Sequence, residues 1–223
     1  MNGKDFEKLV FGMAHQIRNP CAIILSNANL LIQQPDLKPE IRRSIESIIN
    51  GAKYLESRLA EFTEFSKPVV LNLNKVSIRK LFNDAAALLK DKCRLKMIKI
   101  SSDLPQDVVL QADFHQIFLA VLNVLLNSVE AIDHHGAILL KGRLDGGRAI
   151  VEIEDTGMGI HPRDLPEVFS PFYSTKPGGV GIGLAVAKRV IDAHLGKMEL
   201  KSRHGKGTVV TITLPAQGPG SRG

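Results

Sequence analysis

The chain has few of the residues that mark disulfide-bonded, membrane-spanning or nucleic-acid-binding proteins. Its 223 residues include no tryptophan, two cysteines and 5% aromatic residues. Cys21 and Cys93 lie in apolar helical sequence without metal-ligand spacing, which predicts reduced structural thiols in a cytosolic compartment. The sequence has no run of 18 apolar residues, no signal-peptide pattern at its start and no dense lysine or arginine run. We therefore expect a soluble, cytoplasmic chain without a nucleic-acid partner. The same features fit the soluble end of a longer, membrane-anchored protein.

Two long helices with regular apolar stripes are predicted at the start of the chain, over residues 3–33 and 39–66. The first stripe comprises Phe6, Val10, Met13, Ile17, Ile24 and Leu31, and the second comprises Ile41, Ile45, Ile48, Ala52, Leu55, Leu59, Phe62 and Ser66. Two antiparallel helices cannot close a core alone, so we predict that two chains pair into a four-helix bundle. The alternative, a two-helix lid docked on the rest of the chain, is disfavoured by the length of both stripes.

One histidine lies away from the first stripe. At about 100° per residue, His15 is about 200° around the helix from both Met13 and Ile17. Its imidazole is therefore expected to face solvent or a second protein surface. Most lone surface histidines are simply solvated, so residues further along the chain must decide whether this one acts as a nucleophile.

The rest of the chain is predicted to form a separate α+β domain. Lys67-Pro68 ends the second helix, because the residue before a proline is driven out of the α region. We place one domain at 1–67, a second at 68–216 and a flexible Gly/Pro/Ser-rich tail at 217–223. Ser77 and Asp113 are predicted N-caps. The predicted strands are 71–76, 96–101, 107–111, 136–143, 148–154, 197–203 and 208–214, and the predicted helices are 77–93, 113–133 and 184–195.

Three polar residues interrupt the apolar helix predicted at 113–133. Asn123, Asn127 and Glu130 are spaced by four and three residues, which places them on one helical face. Such residues alone usually form only the wet face of a helix, but these interrupt a run rich in leucine and valine. A carboxamide oxygen is a suitable hard ligand for Mg²⁺, which retains water and is shared with substrate phosphates.

Glycine-rich segments follow this helix. The carboxylate of Asp155 can accept a hydrogen bond from an exocyclic amine such as that of adenine, and Gly157 and Gly159 let the backbone approach a ring closely. Taken alone, this segment is more often a simple turn. Residues 176–184 place four glycines before a helix, and a helix N-terminus with a flexible approach favours phosphate. Residues 205–208 form a turn that opens the last strand.

In this order and spacing, these segments resemble the histidine kinases of bacterial two-component signalling. The ATP-binding domain of that family belongs to the gyrase, Hsp90, histidine kinase and MutL superfamily, and the resemblance covers nearly the whole chain. The layout from Phe169 to Lys176 most resembles the nitrogen-regulator type. The family's motifs correspond to a histidine box at 14–20, an asparagine box at 123–131, a first glycine box at 155–159, a phenylalanine box at 169–172 and a second glycine box at 179–183.

The resemblance implies a helical hairpin that forms a dimeric four-helix bundle, followed by an α/β sandwich that binds ATP and Mg²⁺. It implies Asp155 on adenine, Asn127 on the metal, and transfer of the γ-phosphoryl group to His15 and then to an aspartate of a response regulator. A mobile lid is implied at 170–183. The implied nucleotide-binding residues are Asn123, Asn127, Glu130, Asp155, Gly157, Gly159, Lys176, Gly179, Gly181, Gly183, Leu184 and Thr208.

One residue departs from the family pattern. The family usually has an acid after the phosphorylated histidine, where it takes the imidazole proton, but this chain has Gln16. A carboxamide accepts a hydrogen bond but cannot carry a proton away, so we expect slow autophosphorylation. Asn19 matches the position that places a water for dephosphorylation of the regulator.

Two functions therefore stay open. The first is a protein histidine kinase. The second is an ATP-binding dimeric scaffold or response-regulator phosphatase with weakened kinase activity. A chaperone or topoisomerase-type ATPase ranks last, because it has no use for the hairpin that carries the histidine.

Overall fold

A computed structural model describes residues 3–66, 69–176, 179 and 181–218. Within these ranges the side chains of 3–11, 57–58, 61–62 and 64–66 are not described. The chain divides into two compact units, residues 1–68 and 69–223, which we call the helical unit and the sheet unit. Each unit is described by itself.

The helical unit is an antiparallel pair of long helices. They are α1 (Gly3–Ile32) and α2 (Pro39–Ser66), and both lie within one residue of their predicted bounds. Arg42 lies in the first turn of α2, and its Nη1 donates to the carbonyl of Ile32 at 3.3 Å. Because the last carbonyls of a helix lack partners within the helix, this contact caps the end of α1 and fixes the turn.

Small residues, rather than the predicted stripe, form the face of α1 that packs on α2. Ala14, Cys21 and Ala28 are spaced by seven residues and are 2–4% exposed. The predicted heptad of α2 divides between two faces. Ile45, Ala52 and Leu59 of the heptad are buried, together with Ile49, which the heptad did not include. Seven large residues of the two predicted stripes stay 42–50% exposed, and we call them the outer stripe. It comprises Met13, Ile17, Ile24 and Leu31 of α1 and Ile41, Ile48 and Leu55 of α2.

The sheet unit is an α/β sandwich, as predicted. A five-stranded sheet has the order β2-β4-β5-β7-β6, in which β2 and β4 are parallel and the other pairs are antiparallel. A separate antiparallel pair joins β1 to β3. The strands are β1 (Asn74–Ser77), β2 (Ile98–Asp103), β3 (Val109–Ala112), β4 (Gly136–Asp145), β5 (Arg148–Asp155), β6 (Lys197–Arg203) and β7 (Gly207–Pro215). The helices are α3 (Ile78–Leu95), α4 (Phe114–Ala131) and α5 (Gly183–Ala193), with a short 3₁₀ turn at Leu165–Glu167.

Local signals set most of these boundaries. Ser77 caps α3, since its side chain accepts from the Lys80 amide, and Asp113 caps α4 by accepting from the Gln116 amide, both at 3.1 Å. Both predicted caps are thus confirmed. The first strand begins three residues later than predicted, at Asn74. The Asn72 amide instead donates to Oδ2 of Asp113 at 2.8 Å, so this part of the chain is bonded to a helix cap.

The beginning of the predicted flexible tail is packed. The Gln111 amide donates to the carbonyl of Ala216 at 2.8 Å, and the Ala216 amide donates to the carbonyl of Gly147 at 3.0 Å. Gly218 is buried with a φ of +77°. Backbone bonding therefore holds the chain as far as 218, and 219–223 lie outside the described residues.

The helix α4 forms the centre of the sheet unit. By length and composition it is the one helix of the described ranges that is apolar enough to cross a membrane. Seven of its side chains are buried, and α4 contacts α3, α5 and the sheet. Its apolar side chains therefore pack within the core of this unit.

Candidate functional site

The polar residues of α4 face the first turn of α5. Asn123 and Asn127 are half-buried, and Nδ2 of Asn123 donates to the carbonyl of Leu119 at 2.9 Å. A Cβ built on Gly183 would lie 3.1 Å from Oδ1 of Asn123 and 3.8 Å from Nδ2 of Asn127. Glycine at this position therefore lets the start of α5 approach the polar face of α4. The Ile182 N-cap makes no side-chain bond to α5, and the first-turn amides of a helix have no partner within that helix.

A lysine bridges two of these polar groups. Nζ of Lys176 lies 2.7 Å from Oε2 of Glu130 and 3.4 Å from Oδ1 of Asn127. The side chains of Lys176 and Glu130 are 37% and 53% exposed. A carboxylate and a carboxamide oxygen thus converge on one positive charge at the surface of α4.

Asp155 ends β5 and is the buried acid of the site. It is 5% exposed, and its Oδ1 accepts from the amides of Gly157 at 2.9 Å and Thr208 at 3.2 Å. Burial raises the pKa of this carboxyl group, while these bonds and one from the Ser128 side chain oppose the rise. The amides fix the orientation of a carboxylate that solvent barely reaches.

The loop after Asp155 is held against the end of α4. The Met158 amide donates to the carbonyl of Ala131 at 2.9 Å, and a Cβ on Gly157 would lie only 2.7 Å from that same oxygen. Gly159 has a φ of +66° and abuts the backbone of Arg203, so a side chain there would clash. Gly157 thus allows the loop to pack closely on the end of α4, and Gly159 allows it to pack on the turn between β6 and β7.

Two further groups stabilise this arrangement, and sequence reasoning did not single them out. Nζ of Lys96 donates to the carbonyls of Val129 at 3.0 Å and Ile132 at 2.8 Å, which caps the C-terminal end of α4. Oγ of Ser202 lies 2.9 Å from Oγ1 of the buried Thr208. Neither pairing has a local signal, because the partners are separated by other elements or belong to opposite strands.

The predicted lid segment contains several hydrogen bonds. The Phe172 amide donates to the carbonyl of Gly181 at 2.9 Å, and the Gly179 amide donates to the carbonyl of Lys176 at 3.1 Å. Gly181 has a φ of +69°, which favours glycine. Residues 177, 178 and 180 lie outside the described residues, and mobility of this segment stays a prediction.

The structure thus brings most of the predicted nucleotide-binding residues to the surroundings of α4. Asn123, Asn127, Glu130, Lys176 and Gly183 form one group. Asp155, Gly157 and Thr208 form a second group at the end of the same helix, and the half-buried Leu184 packs against the core. Gly159, Gly179 and Gly181 instead contact neighbouring loop backbone.

The predicted catalytic residues lie on α1 of the helical unit. His15, Gln16 and Asn19 are all exposed, whereas the neighbouring Ala14 is buried against α2. The imidazole is therefore accessible to a reactant, as its position off the stripe predicted.

The side-chain oxygens on α4 suit a cation that takes its remaining ligands from a bound molecule and from water. No group of three or more His, Cys, Asp or Glu side chains that could hold a metal occurs among the side chains that the structure describes. Oδ1 of Asn127 and Oε2 of Glu130 nevertheless converge on an ammonium group, so they can face a positive charge together. Two hard oxygens of this kind fit Mg²⁺ that takes its other ligands from water and phosphate.

Two protein families match the two units. Residues 7–68 match the His Kinase A (phospho-acceptor) domain. Residues 112–218 match the histidine kinase-, DNA gyrase B- and HSP90-like ATPase family. Together the two matches cover more than half of the chain, and they occur in the order that the sequence motifs predicted.

Relatives and solved structures agree with these families. The chain is 31% identical over 209 residues to the sensor histidine kinase ZraS of Salmonella typhi, which covers 93% of this chain and 45% of ZraS. It is 29% identical to sporulation kinase E of Bacillus subtilis, over 94% of this chain and 28% of that kinase. The chain thus spans less than half the length of these curated relatives.

Among solved structures, full-length ShkA in complex with AMPPNP superposes with a TM-score of 0.78 at 26% identity, over 95% of this chain and 46% of ShkA. The histidine kinase ThkA in complex with the response regulator protein TrrA gives 0.71 at 25% identity, over 96% of this chain and 63% of ThkA.

The helical hairpin thus matches a phospho-acceptor domain, and the sandwich that follows it matches an ATPase-like domain. The chain belongs to the histidine kinase family of two-component signalling. The finer assignment to the nitrogen-regulator type stays a prediction.

Proposed function

We propose that this chain is an ATP-dependent protein histidine kinase that phosphorylates itself on His15 and passes the phosphoryl group to an aspartate of a response regulator. The observation that carries the proposal is that one chain contains both an exposed His15 on the helical unit and, on the sheet unit, Asp155, Asn127 and Glu130 around α4. The ShkA complex with AMPPNP and the ThkA complex with a response regulator support both halves of the proposal.

In this proposal Asp155 selects adenine. Its carboxylate is already oriented by the Gly157 and Thr208 amides and accepts a hydrogen bond from the exocyclic amine of the base. Gly157 keeps the loop close to α4 and Gly159 keeps it close to the turn after β6, so the backbone beside the base is held in place. Recognition needs the ionised form of Asp155, although burial raises its pKa.

The triphosphate would lie between α4 and the start of α5. The uncapped first-turn amides from Gly183 and Leu184 onward favour phosphate oxygens, with the nearby Gly179 and Gly181 in the adjoining loop. Asn127 and Glu130, which we call the metal subsite, would hold Mg²⁺ directly or through water, with Asn123 beside them. When bound, the metal neutralises charge on the phosphates.

Phosphoryl transfer would form a bond from an imidazole nitrogen of His15 to the γ-phosphorus and break the bond from that phosphorus to the bridging oxygen, releasing ADP. The attacking nitrogen uses its lone pair, and the other ring nitrogen must then lose its proton to leave a neutral phosphoimidazole. Gln16 can orient the ring by accepting a hydrogen bond, but its carboxamide cannot take that proton. Water must then act as the base, which makes the kinase slow.

A second candidate function follows from Gln16 and Asn19. Asn19 is exposed one helical turn after His15, where its carboxamide could orient a water against the phosphoryl-aspartate of a docked regulator. A chain with weak kinase chemistry and an intact Asn19 would act mainly as a scaffold or a response-regulator phosphatase.

We further propose a homodimer formed through the helical unit. The outer stripe leaves seven large apolar side chains about half exposed on one side of the hairpin. A second copy would cover them by the same surface, which gives the predicted four-helix bundle. The chain would then be the cytoplasmic catalytic part of a longer, membrane-anchored sensor, with no nucleic-acid partner.

Labelling with ATP that carries a radioactive γ-phosphate tests the proposal. We expect an acid-labile, base-stable label on the wild type and none on His15→Ala. The matched control is His115→Ala, which removes an exposed histidine from α4 and should leave the label unchanged.

The second candidate has a different signature. No label on the wild type after long incubation, together with accelerated loss of phosphate from a phosphorylated receiver domain, would favour the phosphatase. Asn19→Ala should then abolish the acceleration. A label that persists in His15→Ala would overturn the assignment of the phosphorylated residue.

A further inference from the structure

The contact between Lys176 and the metal subsite places a positive charge where the proposed function places magnesium. Nζ of Lys176 lies 2.7 Å from Oε2 of Glu130 and 3.4 Å from Oδ1 of Asn127. An ammonium group has three donors, and these contacts use two of them. The third is available to a phosphate oxygen.

A cation at this position would reduce the repulsion between the nucleotide phosphates and Glu130. The phosphates of a nucleotide carry several negative charges, and the proposed function brings them close to the carboxylate of Glu130. Like charges at such short range repel each other strongly, even at a partly exposed site. A positive charge between them removes this repulsion, and without magnesium the cation that occupies this position is the ammonium of Lys176.

The backbone allows the lysine to leave without disturbing α4. Lys176 is 46 residues from Glu130 along the chain, in the loop that precedes α5. Its amide donates to Oγ of Ser174 at 3.2 Å, and its carbonyl accepts from the Gly179 amide. The contacts with α4 are made only by the end of a long and flexible side chain.

We propose that Lys176 is a built-in cation of the metal subsite, which lets nucleotide bind when magnesium is absent and which magnesium displaces. The inference rests on the proposed function, since that function assigns Asn127 and Glu130 to the metal. Lysine and metal are alternatives for one position, so the effects of removing each are not additive. Loss of the lysine should make nucleotide binding depend more strongly on magnesium than it does in the wild type.

Four measurements of ADP affinity by calorimetry test this inference: the full chain and its Lys176→Met variant, each in saturating Mg²⁺ and in EDTA. In EDTA we expect the variant to bind ADP about tenfold more weakly than the wild type, or about 1.4 kcal/mol. In saturating Mg²⁺ the two affinities should agree within about twofold, by the same conversion. Lys176→Arg keeps the charge and should recover part of the affinity in EDTA.

The matched control is Lys141→Met. Nζ of Lys141 lies 2.9 Å from Oε2 of Glu154, and the two side chains are 36% and 45% exposed, so this pair is similar in geometry and exposure to the pair of Lys176 and Glu130. It lies between two strands, away from the metal subsite. ADP affinity should not change with this variant in either condition, and thermal unfolding of both variants reports whether they fold.

Two outcomes would overturn the inference. Equal weakening of ADP binding with and without magnesium would mean that the lysine contacts phosphate independently of the metal. Unchanged affinity in both conditions would mean that the lysine does not act on nucleotide at all. Failure of the wild type to bind ADP even in Mg²⁺ is a different result, because it overturns the proposed function itself.

Discussion

The two units of the chain differ in how completely each one buries its own apolar residues. Among the described side chains of the helical unit, one cluster of buried residues contains Ala28, Ile45 and Ile49, while the outer stripe remains about half exposed. In the sheet unit a continuous core joins α3, α4 and α5 to one face of the five-stranded sheet. The first unit therefore has apolar surface left for a second protein, whereas the second has polar groups left for a small ligand.

This difference separates two kinds of functional surface. His15, Gln16 and Asn19 are exposed on a helix, where only a docked reactant can complete a site. Asp155 is buried and already bonded to two amides before any ligand arrives. We therefore expect changes in the helical unit to affect chemistry and association, and changes in the sheet unit to affect affinity and stability.

The largest effect is expected from Gln16→Glu. A carboxylate beside His15 can take the imidazole proton, and a positioned base typically contributes about 10²-fold to 10⁴-fold in rate. The initial rate of autophosphorylation should rise by that factor, while ADP affinity should stay constant. Gln33→Glu adds the same charge at the exposed end of the hairpin and should have no effect. A rate unchanged by Gln16→Glu would show that proton removal does not limit the reaction.

The next largest effect is expected from Ile48→Glu in the outer stripe. A fully buried isoleucine contributes about 1.5–3 kcal/mol, and a symmetric dimer loses two of them and gains two unpaired charges. The dissociation constant of the dimer, measured by sedimentation equilibrium, should rise by about 10²-fold or more. Ile23→Glu is the control, since Ile23 is 62% exposed and lies outside the stripe. Equal dissociation of both variants, or of neither, would contradict an interface along the outer stripe.

A smaller effect is expected from Asp155→Asn. Hydrogen bonds to charged groups contribute about 1.5–3 kcal/mol, so ADP affinity should fall by roughly tenfold to a hundredfold. Asp103→Asn, an exposed position on β2, should leave the affinity unchanged. Retained affinity in Asp155→Asn would mean that adenine lies elsewhere.

The same substitution should stabilise the nucleotide-free protein in a pH-dependent way. Burial raises the pKa of Asp155 above its ordinary value of 3.8, so the charged form is disfavoured in the folded state. The folded state thus loses stability as pH rises from that ordinary value through the raised pKa. Asp155→Asn should therefore not raise the free energy of unfolding at pH values below 3.8. It should raise it fully at pH values above the raised pKa of Asp155. A gain that is independent of pH would contradict this origin.

The smallest effect is expected from Lys96→Met. The variant loses two hydrogen bonds from an ammonium group to the C-terminal carbonyls of α4, which should lower the free energy of unfolding of the sheet unit by about 1–2 kcal/mol. Lys99→Met, at an exposed position on β2, is the control. If the two variants unfold alike in urea, the lysine cap does not stabilise α4.

Features with a local cause were predictable. The bounds of α1 and α2 follow from periodic apolar residues and from proline at 39 and 68, and the caps at Ser77 and Asp113 follow from side chains that reach amides three residues away. The β4–β5 hairpin follows from Gly146 and Gly147, whose φ angles of +52° and +74° suit the tight turn. In each case the interacting atoms are close along the chain.

Features made by distant parts of the chain were not predictable in the same way. The large residues of α1 were expected on its buried face, but Ala14, Cys21 and Ala28 pack on α2 instead. Hydrophobicity predicts that a residue will be buried, but it does not predict which surface will cover it. The contacts of Lys96 and Lys176 with α4 were not predictable for the same reason, because the apolar periodicity of a sequence does not show which partner a charged side chain will find.

The sequence by itself determined which segments become helices and strands, that the histidine at 15 faces away from the apolar stripe, and which family the chain resembles. Only the tertiary structure decided which apolar face of each helix stays exposed, and that a lysine contacts Asn127 and Glu130 on α4. The physical reason is how far apart along the chain the interacting atoms are. Secondary structure and caps depend on atoms a few residues apart, whereas burial and charge pairing depend on which surfaces the completed fold brings together.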